Sequence, residues 1–101
     1  MIISYVICNN KEEAKNISRI LLSKKLVACC NIIQTESLYN WKDKLVEDNE
    51  VILMAKTLGK NFQKIKKEVL KIHSYKIPCV LKIKVKDVNA SYLRWLKSEI
   101  K

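Results

Sequence analysis

Residues 26–57 read LVACCNIIQTESLYNWKDKLVEDNEVILMAKT, and this stretch sets the fold. Its opening, Leu26 to Thr35, is an almost unbroken apolar run through Cys29-Cys30 and Ile32-Ile33, the pattern of a buried strand. Ser37-Leu38-Tyr39-Asn40-Trp41 then alternates polar with large apolar residues, Lys42-Asp43-Lys44 marks a turn, and Glu50 to Thr57 reads as a long third strand. Together they predict an extended antiparallel hairpin with a projecting tip. Adjacent side chains on a strand point to opposite faces, so Cys29 and Cys30 cannot readily share a small metal site, and one of them belongs in the core as a small hydrophobe.

Upstream of the hairpin, Ile2 to Cys8 is a compact run rich in β-branched residues, which predicts a buried first strand. Asn9 with Glu12 has the spacing of a capping box, opening a helix to about Ser23 whose apolar stripe includes Ala14, Ile17 and Leu21. Lys24 and Lys25 near its end suit the helix dipole. Downstream, Gly59 precedes a second helix from Lys60 to about His73, with Phe62, Ile65, Val69 and Ile72 on one face. Pro78 excludes a helix there. In Val80 to Lys86, Leu81, Ile83 and Val85 alternate with lysines, predicting a half-buried strand at a lysine-protected edge. Asn89 caps a last helix carrying Leu93, Leu96 and Ile100. The order β-α-β-β-α-β-α is a ferredoxin-like α+β sandwich with an extra C-terminal helix, spanning residues 1–101 as a single domain.

Composition narrows the partners. The chain has 101 residues and a formal net charge of +10, an invitation to read it as a nucleic-acid binder. Yet Arg19 and Arg94 are the only arginines, and the lysines are scattered rather than clustered. Solvated lysine faces account for that pattern, and nucleic acid is not an expected partner. No apolar run approaches the ~20 residues of a membrane span, and Met1 to Cys8 lacks the features of a signal peptide. Cytoplasmic thiols, not disulfides, are therefore expected of Cys8, Cys29, Cys30 and Cys79. A chain this small buries a modest share of its surface, so self-association is a natural source of stability.

Candidate chemistry is sparse. No C-x-x-C or helical histidine pair encodes a closed zinc site. Cys8 ends the first strand and His73 ends the second helix, ends that this sandwich can bring together, and thiolate plus imidazole suits copper or zinc. An enzyme built on Cys8 or Cys79 with His73 as base needs an oxyanion hole, for which a chain with one glycine has no glycine-rich loop. Tyr39, Trp41, Tyr92 and Trp95 are expected to anchor a subunit interface, since a long projecting hairpin exposes edges that need a partner.

Several segments, in order, resemble the CutA-type divalent-ion tolerance proteins. Leu26-Val27-Ala28-Cys29-Cys30-Asn31-Ile32 is similar to that family's LAACVNI strand. Ser37 to Trp41 with Glu47 and Glu50 resembles its S-x-Y-x-W…E…E hairpin, and Lys56-Thr57 its KT. His73 to Pro78 resembles HPYxxP, and Tyr92 to Leu96 the closing YLxWL. The resemblance implies a homotrimer whose hairpins extend sheets between neighbours, a role in copper and other divalent-ion tolerance without enzymatic activity, and kinship to PII-type signalling trimers. It implies metal ligation at Cys8 and His73. The chain departs from the pattern at Ser74, where proline is usual, at Ile72, where some members carry a second histidine, and at Cys79, where many carry glutamate. Against that pattern Cys79 is expected as a softer substitute ligand, third after Cys8 and His73. The alternative that follows from PII kinship is a signalling or scaffold trimer binding a small anionic ligand or a protein partner between subunits.

Overall fold

A computed structural model describes residues 1–101. The first strand, β1 (Ile2–Cys8), is followed by helix α1 (Lys11–Ser23), the hairpin strands β2 (Cys29–Trp41) and β3 (Lys44–Thr57), helix α2 (Phe62–Ile72), β4 (Val80–Lys84) and helix α3 (Ala90–Glu99). A single 3-10 turn, Gly59–Asn61, leads into α2. The four strands form one antiparallel sheet in the order β2-β3-β1-β4, the ferredoxin-like arrangement.

The alternation of β1 decides which side is the core. Ile2, Ser4, Val6 and Cys8 are buried beneath the helices, while Ile3, Tyr5 and Ile7 are only partly covered. Val51, Leu53 and Ala55 of β3 share the covered face, and Ala14, Ile17 and Leu21 of α1 with Ile65 and Val69 of α2 close over it. Cys30 packs against this core and Cys29 does not, as their adjacency on a strand requires.

The hairpin is longer than its apolar core portion indicates. Pairing runs from Cys29↔Lys56 to Trp41↔Lys44 around a two-residue turn, Lys42-Asp43. Both turn residues have positive φ (51° and 63°), the type I′ geometry whose twist suits a hairpin. β1 reaches only Val51 of β3, so the strand segments beyond it form a projecting two-stranded ribbon with both outer edges unpaired. The molecule is accordingly elongated, 46 × 26 × 20 Å.

Four local expectations need correction. The cap of α1 lies one residue later than the Asn9–Glu12 spacing indicates: Asn10 accepts from the Glu13 amide at 2.8 Å, and Glu13 Oε1 accepts from the Asn9 amide at 2.8 Å. β2 begins at Cys29, not Leu26. The Leu26 amide donates to Leu21 and the Lys25 amide to Leu22, a Schellman closure of α1 with Lys25 at φ 55°. Asn89 stands at the N-cap position of α3, but its side chain donates to Ser91 Oγ and caps no amide. β4 is an edge strand, but its alternation is inverted. Lys82 and Lys84 lie opposite Ser4 and Ile2 on the helix side, where Lys82 Nζ sits 5.4 Å from the Phe62 ring centre, whereas Leu81 and Ile83 lie exposed on the face without helices.

Ser4 is fully buried on the covered face of β1, and its Oγ has no hydrogen-bond partner. A buried hydroxyl left unpaired costs about 1–3 kcal/mol. Ser4→Ala is therefore expected to stabilise the fold by about 1 kcal/mol, seen as a higher urea midpoint at unchanged slope.

Candidate functional site

The end of β1, the start of α1 and the end of α2 meet at one point. Cys8 is the last residue of β1 and is fully buried. Glu13 occupies the first turn of α1, held there by the Asn10 cap. His73 follows α2, where its extended backbone (φ −69°, ψ 138°) turns the chain toward β4. The ligand atoms of Cys8, Glu13 and His73 all lie within 4.8 Å of one another. The fold thus brings Cys8 and His73 together and adds a carboxylate between them.

Each group in the cluster is already engaged. His73 Nε2 lies 2.7 Å from the Ile7 carbonyl, and Nδ1 accepts the Tyr75 amide at 3.0 Å. A carbonyl only accepts and an amide N–H only donates, so the neutral imidazole carries its proton on Nε2. Glu13 Oε1 accepts from the Asn9 amide and Oε2 from the Ser74 amide, each at 2.8 Å, and Oε1 is 3.8 Å from His73 Nε2. One carboxylate therefore pins the β1–α1 junction to the α2–β4 connection. Partial burial pushes the Glu13 carboxyl up, but the bonds from Asn9 and Ser74, with His73 alongside, outweigh it and hold it below its ordinary range. Burial, with the charges of Glu13 and Glu50 adding to it, pushes the Cys8 thiol up to about 12, so it is protonated at neutral pH.

Sequence reasoning missed Glu13. Its signal was the Asn10–Glu13 spacing, one residue out of step with the box read at Asn9, and its tie to Ser74 spans a long sequence separation that no local pattern records. The departure of Ser74 from proline acquires a consequence here, because only a residue with an amide N–H can donate to Glu13.

Cys79 lies elsewhere. Its carbonyl accepts from the Ile7 amide, and it lines, with Ile7, a cleft outside the cluster. This cleft, about 490 Å³, is bounded by Tyr39 and Trp41 of β2 and by the Ser74–Ile77 segment. Glu50 lies within it, 7% exposed, accepting a 2.5 Å bond from the Tyr75 hydroxyl. Tyr92 and Trp95 stack together on α3, ring centres 5.4 Å apart, with Lys56 Nζ 5.5 Å from the Tyr92 ring centre. Trp41, Tyr39 and Trp95 are all exposed on the single subunit.

The sheet order and the covered and open faces define a ferredoxin-like α+β protein. Residues 2–99 match the family model for CutA1 divalent ion tolerance proteins, and the chain belongs to that family. It is 36% identical to the divalent-cation tolerance protein CutA of Pyrococcus horikoshii over 101 residues, covering all of this chain and 99% of that protein. With the Thermotoga maritima protein of the same name, identity is 35%, covering 99% of each. It is also 37% identical to the human protein CutA, of which it spans about half (53%). The crystal structure of CutA1 from Pyrococcus horikoshii superposes with a TM-score of 0.95 at 35% identity, covering 100% of this chain and 99% of that one. The Archaeoglobus fulgidus CutA structure, described as a periplasmic divalent cation tolerance protein, has a TM-score of 0.96 at 31% identity with full coverage of both chains. No helix of this chain is long and apolar enough to cross a membrane.

The lowered carboxyl makes Glu13 a source of pH-dependent stability. A folded-state value below the unfolded one contributes stability that is fully present above the ordinary carboxylate range and lost as pH falls through the folded value. Glu13→Gln sets an amide NH₂ against one of the two backbone donors, and is expected to cost about 1–3 kcal/mol at pH 7. Denaturant titrations of both proteins at pH 7 and in strong acid should show that gap closing in acid; a gap of constant size would remove the charged anchor from the account.

Proposed function

We propose that the chain serves divalent-cation tolerance as a non-enzymatic homotrimer that binds a soft or borderline cation weakly at Cys8, Glu13 and His73. The observation that carries this reading is the convergence of a thiol, a carboxylate and an imidazole within 4.8 Å. That donor set fits copper or zinc, which favour sulfur and nitrogen ligands over the all-oxygen shells of magnesium or calcium. A cation held there would supply charge to a pocket already containing a carboxylate.

The site's own hydrogen bonds set the affinity. Cys8 must release a proton that its surroundings hold tightly, and His73 must give up its bond to the Ile7 carbonyl. Both costs point to weak, exchangeable binding rather than a permanent structural ion. Cys79 stands apart from the three ligands and is not included in this set. The reducing cytoplasm suits a chain with four free cysteines, one of which must act as a thiol.

The trimer reading is supported by what the helices leave uncovered. Ile33, Leu81 and Ile83, 40–49% exposed, lie on the sheet face away from the core, and the ribbon beyond Val51 has unpaired edges. Trp41, Tyr39, Tyr92 and Trp95 are the aromatic anchors at the edges of this assembly, with the cleft-facing sides of Tyr39 and Trp41 left open between subunits. A second reading is a signalling or scaffold trimer of PII-like logic that takes a small anionic ligand or a protein partner between subunits; the cleft beside Cys79 offers the room, and its Glu50 carboxylate favours the partner over the anion.

Calorimetric titration of reduced, metal-free protein with copper and zinc is expected to show saturable binding, one ion per subunit, abolished in the Cys8→Ser/His73→Ala double variant. Repeating it in buffers of different ionisation enthalpy should reveal the proton leaving Cys8, with apparent affinity rising about tenfold per pH unit. Equal binding by both proteins, or none by either, would sink the metal site. For the assembly, light scattering should find that Ile83→Asp or Trp41→Ala populates smaller species; an unchanged trimer in both would remove the interface assignment.

A further inference from the structure

The cleft beside Cys79 contains a charge that the molecule does not neutralise. Glu50 is more than nine-tenths buried and holds one hydrogen bond, from the Tyr75 hydroxyl to Oε2. Its other oxygen has no donor within the protein. No lysine or arginine pairs with it, although cationic side chains outnumber acidic ones twenty to ten; the ion pairs are Lys24–Glu68, Lys71–Glu68 and His73–Glu13. With one neutral donor, and its other oxygen left to the solvent that reaches the cleft, this carboxylate has no cationic partner, and a positive group beside it would be favourable.

The walls indicate which kind of positive group. Tyr39, Trp41 and Tyr75 line the cleft, and aromatic rings attract a cation through their quadrupoles while accepting alkyl groups against their faces. Desolvation first, then the hydrogen bond to Glu50, pushes the Tyr75 phenol up; desolvation followed by the charges of Asp48 and Glu50 does the same to Tyr39, and burial with Glu50 to the Cys79 thiol. These groups are neutral, so they offer a metal ion a poor set of ligands and leave Glu50 as the anion of the site. Lys76 is exposed and makes no ion pair with it. An anionic guest would meet Glu50 directly. The volume, about 490 Å³, is that of a small-molecule site.

We propose that this cleft binds the ammonium group of a small organic amine, with Glu50 holding the charge and Tyr39, Trp41 and Tyr75 enclosing its alkyl portion. Glu50 is not one of the three metal ligands, so the inference stands apart from the cation site.

The test uses three probes of one size: butylammonium, butanol and butyrate, titrated into the assembled protein and followed by NMR shifts. Butylammonium is expected to saturate with shifts at Trp41 and Tyr75, and butanol and butyrate to bind at least about tenfold more weakly, the difference of one charged hydrogen bond. Glu50→Gln should lower butylammonium to the level of butanol. Ile77→Lys, at an exposed position on the same cleft, should block it with a tethered ammonium, and this variant decides the matter if Glu50→Gln fails to fold. Equal binding of butanol, or unaltered butylammonium binding in the folded variants, overturns the proposal. So does a wild-type assembly that takes no probe while Glu50→Gln dissociates it, because the cation would then be a lysine of a second copy.

Discussion

The molecule depends on β1 lying inside the sheet with helices on one side only. Strict alternation sends Val6 and Cys8 into the core and leaves Ile3, Tyr5 and Ile7 toward the other face. Everything of functional interest is distributed by that division. The thiol that can ligate a cation sits on the covered side, shielded from water, and the cleft opens beside Ile7. One residue of register slip would exchange the two.

Burial gives the Cys8 cluster two characters that compete. As a junction it is well satisfied, with Glu13 accepting two backbone amides and His73 bridging the Ile7 carbonyl and the Tyr75 amide. As a ligand set it is close-packed but protonated and engaged. The same hydrogen bonds that align the three groups would oppose their use by a cation, so under the proposed function a pre-arranged geometry would go with weak affinity.

Glu50 links the two sides of β1. Its charge adds to the burial that keeps Cys8 protonated on one side and Cys79 protonated on the other, and it is clamped by Tyr75, whose amide also orients His73. The His73–Tyr75 segment therefore touches both candidate sites, with the two rings 4.9 Å apart.

Most of the architecture was legible because it follows from short-range periodicity. The apolar run of Ile2–Cys8, the helical spacing of Ile65 and Val69, and the long apolar β3 against β2 place the elements and their order, and the five family-like segments agree with them. Cys8 and His73 were recognisable as ends of elements that a sandwich brings together. Features set by distance in three dimensions were not legible. Glu13 becomes part of the cluster only through Ser74 and His73, and Glu50 becomes a cleft carboxylate only when Tyr75 folds over it. The lysine alternation of β4 shows why: a period of two reveals that a strand has two faces, but which face the helices cover depends on the register with β1, a long-range pairing that residue order alone does not encode.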